Sequence, residues 1–236
     1  MLVIAHRGAS AVAPESTRAA LEAAITGDAD GVELDVQLSR DGRLIIFHDE
    51  RLDRTTDGAG AVARHTYPDL ARLDAGAWFN PRFSGQRILL ASQALRLFRS
   101  HGLVNLELKP TARGPMLIDR LVRCLQWTGS VRRVLVSSFA TMLLERLRRR
   151  GPTVARAVIC HRHFDRALAA ARRLACDAIH PHVDLVTPQR VVRAHADGLR
   201  VHVWTVDRIA VARRLAGWGV DGIFSNDPAR MTRALR

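Results

Sequence analysis

Glu33 and Asp35 stand two residues apart inside an aliphatic run, Val32 to Val36. Side chains alternate along a strand, so the two acids share one face while Val32, Leu34 and Val36 take the other. Val104 to Leu108 repeats the device, with Glu107 followed by Lys109 just before Pro110 ends the run. Leu2 to Ala5 leads into His6-Arg7-Gly8, which adds an imidazole and a guanidinium. His48 follows Asp41-Gly42, a dipeptide that favours a tight two-residue hairpin turn. With that turn, His48 is expected directly opposite Asp35, on the face that carries both acids.

Grouping Glu33, Asp35 and Glu107 in an interior demands a counter-cation. Oxygen-only ligands select a hard ion, Mg²⁺ or Ca²⁺, over zinc. Arg7 and Lys109 could instead pair with the acids as a structural charge network. Beside a cation, the same two residues make a pocket for phosphate, the arginine as a fork and the lysine as a point charge. His6 and His48 titrate near neutrality and supply a general acid and a general base, in either assignment. His180 and Trp204, at the ends of later runs, are candidates to line the substrate pocket. His65, His101, His161, His163, His195 and His202 are read as surface or core residues.

These residues need a frame that brings strand ends together. Eight short aliphatic runs alternate with amphipathic stretches: Leu2 to Ala5, Val32 to Val36, Val104 to Leu108, Val134 to Val136, Val154 to Ile159, Ala178 to Ile179, Val201 to Trp204 and Gly222 to Phe224. Helices are expected over Glu15 to Thr26, Ser92 to His101, Met116 to Trp127, Thr141 to Arg149, Phe164 to Leu174, Pro188 to Ala196 and Arg208 to Gly217. Strand, helix, strand at this repeat gives parallel strands with right-handed crossovers, and eight units close a (β/α)8, or TIM, barrel. An open doubly wound sheet is the rival, yet no G-x-G-x-x-G follows the first run. The interval between the second and third parallel strands is too long for a crossover, so residues 49–91 are read as a small cap inserted into a single 1–236 domain.

The 236 residues are 47% hydrophobic, which excludes disorder as the main state. The formal charge of +13 comes from arginines spread along the whole chain, with Lys109 the single lysine. Aromatics are only 5% and do not interleave with a basic face, which argues against nucleic acid. Arg146 to Arg150, the densest basic run, falls at a helix end where arginine suits the dipole. No run is long and apolar enough for a membrane span, and no secretory leader precedes His6, so a cytoplasmic protein without membrane insertion is expected. Cys124, Cys160 and Cys176 lack metal or redox spacing and are expected reduced in the core.

The sequence resembles the glycerophosphodiester phosphodiesterase family in the order and spacing of many short motifs. They are His6-Arg7-Gly8, Ala13-Pro14-Glu15-Ser16-Thr17, Asp30-Gly31-Val32-Glu33-Leu34-Asp35-Val36, Asp41-Gly42, His48-Asp49, Arg54-Thr55-Thr56 and Asp74-Ala75-Gly76-Ala77-Trp78. Asn105-Leu106-Glu107-Leu108-Lys109-Pro110, Ser137-Ser138-Phe139, Trp204-Thr205-Val206 and Gly219-Val220-Asp221-Gly222 complete the set. The resemblance implies hydrolysis of small glycerophosphodiesters to glycerol 3-phosphate and an alcohol, with the substrate's own 2-hydroxyl as first nucleophile. It implies Glu33, Asp35 and Glu107 as metal ligands, His6 and His48 as acid and base, and Arg7 and Lys109 on the phosphate. Ser16 departs from the Asn of many members. Ile88-Leu89-Leu90-Ala91-Ser92-Gln93 stands where many read Ile-Pro-Thr-Leu-Glu-Glu. Rival readings are a phospholipase C or sphingomyelinase D type barrel acting on lipids, a non-catalytic phosphoester-binding barrel and a basic nucleic-acid binder.

Overall fold

A computed structural model describes all 236 residues. Nine strands run β1 Leu2–His6, β2 Gly31–Leu38, β3 Leu44–Ile46, β4 Leu103–Leu108, β5 Val134–Ser138, β6 Ala155–Cys160, β7 Ala178–Pro181, β8 Arg200–Val203 and β9 Gly222–Ser225. All pair in parallel except β3, which adds to β2 antiparallel, and the β1–β2 and β1–β9 pairings close the ring. Eight parallel strands therefore form a closed barrel, as the repeat of strand and helix requires. Each is followed by a helix: α1 Arg18–Thr26, α2 Ala91–Leu97, α3 Gly114–Thr128, α4 Thr141–Arg150, α5 Phe164–Arg173, α6 Pro188–Ala196, α7 Ile209–Gly217 and α8 Pro228–Leu235. No helix is long and apolar enough to cross a membrane.

Strand alternation divides the side chains between two environments. Val32, Leu34, Val36, Val104, Leu106 and Leu108 join the apolar layer between strands and helices. Glu33, Asp35, Asn105 and Glu107, one residue out of phase, face the barrel interior. Helix starts are sharper than periodicity suggests. α1 begins at Arg18 because Thr17 caps it through its side chain, which frees Glu15 to lie in the loop before the helix. α2 opens with the Gln93 side chain accepting from Leu90 N at 2.8 Å, the N3 role that a glutamate would fill.

The hairpin departs from the sequence reading. Val36 pairs with Ile46 and Leu38 with Leu44, while Ser39 N donates to Arg43 O at 3.0 Å. The turn is thus three residues, Arg40-Asp41-Gly42, with Gly42 at φ +77°. A glycine in the left-handed region closes a three-residue loop, and the extra residue shifts the register by one. Phe47, not His48, stands across from Asp35, with Phe47 N donating to Asp35 O at 3.0 Å.

Residues 49–91 carry short helical turns at Val62–Arg64, Tyr67–Leu70 and Pro81–Phe83 around a small apolar cluster in which Leu52, Val62, Leu70 and Ile88 pack with Ile45 and Phe47 of β3 and its exit. Among the cysteines only Cys160 is buried; Cys124 and Cys176 are half-buried, which corrects the expectation of three core thiols. Burial raises the Cys160 thiol to about 12 and Cys176 to about 11, so neither is a thiolate near neutral pH.

Candidate active site

The C-terminal ends of the strands open on a cavity of about 220 Å³. His6, Arg7, Glu33, His48, Asn105, Glu107 and Lys109 line one half of it; Phe139, Ile159, His180, Trp204 and Phe224 line the other. β1, β2, the β3 exit and β4 thus build a charged wall, and β5 to β9 an aromatic one.

β1 ends in a turn that aims Arg7. Its φ is +57°, and its N–H donates to Glu33 O at 3.0 Å and lies 3.1 Å from Glu33 Oε2. Gly8 follows at φ +82° with Ala20 so close that a Cβ would stand 2.7 Å from its backbone carbon. Only glycine fits there. The Arg7 guanidinium reaches Glu15 Oε1 at 3.0 Å and Asp35 Oδ2 at 3.4 Å, the second contact near enough for an ion pair but misaligned for a hydrogen bond.

Asp35 lies beneath the wall, 1% exposed. Lys109 Nζ bridges Asp35 Oδ1 at 2.7 Å and Glu107 Oε1 at 2.6 Å. Burial alone would raise Asp35, but Lys109 and Arg7 outweigh it and hold the carboxyl below its ordinary value. Glu33 has no such partner: burial, then the charges of Asp35 and Glu107, push it well up. Burial and Asp35 raise Glu107 as well. One oxygen from each of Glu33, Asp35 and Glu107 lies within 4.8 Å of the others, and Glu33 Oε1 and Asp35 Oδ2 are buried without a hydrogen-bond donor. Orphaned carboxylate oxygens converging in this way suit a hard divalent cation.

Both histidines are held from behind. His6 Nδ1 lies 2.8 Å from Asn226 Oδ1, and its Nε2 lies 3.9 Å from Glu33 Oε2. Burial, then Arg7, lowers the imidazole below its ordinary value. His48 leaves β3 through a clamp absent from the sequence reading, in which Gln37 Nε2 lies within 2.8 to 3.1 Å of the Phe47, His48 and Asp49 carbonyls. That clamp brings His48 to the cavity although the hairpin register does not. His48 Nδ1 lies 2.6 Å from Asp49 Oδ1, and Asp49 is pulled down to about 2 by the Arg54 hydrogen bonds. Arg54 in turn grips both oxygens of Glu15 at 2.8 and 2.9 Å, so a chain of charges joins His48 to Arg7. Glu15, Gln37, Asp49, Arg54 and Asn226 were not singled out one by one, because their contacts cross between distant segments. The motifs containing Glu15, Asp49 and Arg54 were the only signal.

His180 is buried against His202 and Phe224, with ring centroids 5.1 and 5.0 Å away, and burial takes it well below the ordinary histidine value. His202, buried with both ring nitrogens unpartnered, falls to about 4 for the same reason. Trp204 stands edge-on to Phe139 at 5.7 Å, and its Nε1 donates to His180 O at 2.9 Å.

A closed barrel with acids, a fork of positive charge and two braced imidazoles at its C-terminal pole defines a (β/α)8-barrel enzyme of anionic-substrate chemistry. Residues 6–230 match the model of the Glycerophosphoryl diester phosphodiesterase family. A glycerophosphodiester phosphodiesterase of Caldanaerobacter subterraneus subsp. tengcongensis is 35% identical across 100% of this chain and 98% of its own. One of Bacillus subtilis is 33% identical over 97% of this chain and 84% of its own. An Oleispira antarctica phosphodiesterase, solved in complex with the product sn-glycerol-3-phosphate, superposes with a TM-score of 0.93 at 31% identity, covering 100% of this chain and 96% of that one. The chain belongs to the glycerophosphoryl diester phosphodiesterase family, and it is an enzyme of that class.

Proposed function

We propose that the protein hydrolyses water-soluble glycerophosphodiesters, such as glycerophosphocholine or glycerophosphoethanolamine, to glycerol 3-phosphate and an alcohol. The observation that carries this reading is the convergence of His6, His48, Arg7 and Lys109 with three acids on one cavity. The product held by the Oleispira relative supports the same substrate class. Arg7 and Lys109 hold the phosphate oxygens as charge builds on them. One histidine takes the proton of the attacking hydroxyl and the other protonates the leaving alkoxide. His180 and Trp204 receive the organic part of the substrate in the aromatic half. Glu33, Asp35 and Glu107 would hold one divalent cation, Mg²⁺ or Ca²⁺, which when bound supplies Lewis acidity toward a phosphoryl oxygen. Residues 49–91 serve as the cap of this single catalytic domain and contribute Arg54 to it.

The test is purified protein with glycerophosphocholine, a titration of Mg²⁺ and of Ca²⁺, and detection of glycerol 3-phosphate. Turnover that vanishes in excess chelator and returns with the ion is expected. His6→Ala and His48→Ala should each lose about 10²–10⁴-fold in kcat while melting like the parent. Full turnover in either variant would remove that histidine from the mechanism.

A further inference from the structure

The two histidines have unlike partners at Nδ1: a carboxylate for His48, a side-chain amide for His6. An amide can sit either way round, so its other contacts decide. Asn226 Nδ2 lies 2.6 Å from Asp207 Oδ2. An ionised carboxylate only accepts, so the NH₂ faces Asp207 and the carbonyl oxygen faces His6. Asp207 cannot turn away, because its Oδ1 accepts from Asn226 N and from Ser225 Oγ, each at 2.8 Å. Ser10 Oγ lies beside the same oxygen, its single proton shared between His6 O at 2.8 Å and Asn226 Oδ1 at 3.0 Å.

A carbonyl oxygen has no proton to give, so His6 Nδ1 is the donor of its 2.8 Å bond. Neutral His6 therefore carries its proton on Nδ1 and its lone pair on Nε2, the nitrogen on the Glu33 side. We propose that Asp207 and Asn226 form a tautomer lock that keeps the lone pair of neutral His6 on Nε2, where it can take a proton in the acid–base exchange. The role assigned to His6 rests on the phosphodiesterase reading above.

With the lone pair held on Nε2, His6 can accept a proton from an attacking oxygen when neutral and give it back to a departing oxygen when protonated. Asn226 and Asp207 are positioning residues, acting only through His6.

The lock is read directly by long-range proton–nitrogen correlation of the imidazoles in ¹⁵N-labelled protein, at a pH where His6 is neutral. A protonated Nδ1 and a bare Nε2 are expected for His6. In Asn226→Ala and in Asp207→Asn the signal should move toward the Nε2-protonated form. In both, kcat on glycerophosphocholine should fall about 10–100-fold with little change in KM. Asp207 also braces the backbone at Asn226, so if Asp207→Asn does not fold, the parent spectrum and Asn226→Ala decide. An Nε2-protonated His6 in the parent, or a folded variant with parental tautomer and turnover, overturns the lock. A parent with the expected tautomer that releases no glycerol 3-phosphate overturns the reaction and the role given to His6, while upholding the hydrogen-bond arrangement.

Discussion

Glu33 is the acid left without a cation once Lys109 has paired with Asp35 and Glu107 and Arg7 with Asp35 and Glu15. Its folded value lies well above the ordinary 4.5, because burial and then its two acidic neighbours oppose its charge. Without metal, the folded protein therefore holds this proton more tightly than the unfolded chain does. Stability from this group is full below 4.5 and drains away as pH rises through the folded value. A divalent cation bound by Glu33, Asp35 and Glu107, as proposed, would displace that proton. Melting curves should show Mg²⁺ or Ca²⁺ raising Tm by an increment that grows with pH, and Glu33→Gln should flatten both the metal-free slope and the increment. An increment independent of pH would refute this. Ser16 is a second residue with a clear expectation. It sits at φ +61° with its N–H on Arg7 O at 2.8 Å and its hydroxyl buried without a partner. Asparagine tolerates the left-handed region and offers both donor and acceptor. Ser16→Asn should raise Tm by about 2–4 °C, the shift that ~1 kcal/mol produces at this size.

Among the elements, the turn after β1 leaves little freedom to its glycine. A Cβ on Gly8 would meet Ala20 backbone and side-chain atoms at 2.7 to 2.8 Å, in a region of φ that L residues avoid. Gly8→Ala should lower stability by about 2–4 kcal/mol, and denaturant melts read it. Survival without loss would mean that α1 can slide away from β1. The parallel strands were legible because β-branched runs alternate with amphipathic ones, and because Glu33, Asp35 and Glu107 fall on the inward phase of their strands. The hairpin register was not: Asp41-Gly42 suits a two-residue loop, and only the backbone of Gly42, beyond Arg40 and Asp41, shows the third residue. The helix α8 lay outside the sequence reading, its Asp227 cap and Pro228 start following β9 too closely to stand out. Contacts such as Gln37 to three carbonyls were hidden because side-chain reach, unlike strand phase, leaves no periodic trace.

At the scale of the whole molecule, the charge of +13 surrounds a pocket whose own acids and bases nearly cancel. The field is therefore long-ranged and salt-sensitive, fading over about 8 Å at physiological ionic strength. For an anionic diester such as glycerophosphoglycerol, kcat/KM should fall as salt rises. For zwitterionic glycerophosphocholine it should change little. Parallel loss for both substrates would place the salt effect within the site instead of in the approach to it.

The rim is split by origin: early strands furnish the charged wall, late strands the aromatic one. On the proposed division of labour, the charged residues that act on the ester come mostly from the early half of the chain and the residues that receive the alcohol from the late half, with Asp207 and Asn226 the late residues that serve the ester side. Under that proposal, substitutions at Phe139, Ile159 or Trp204 should retune which compound is preferred and spare the residues proposed to act on the ester, so a library at those three positions is the natural place to look for altered appetite.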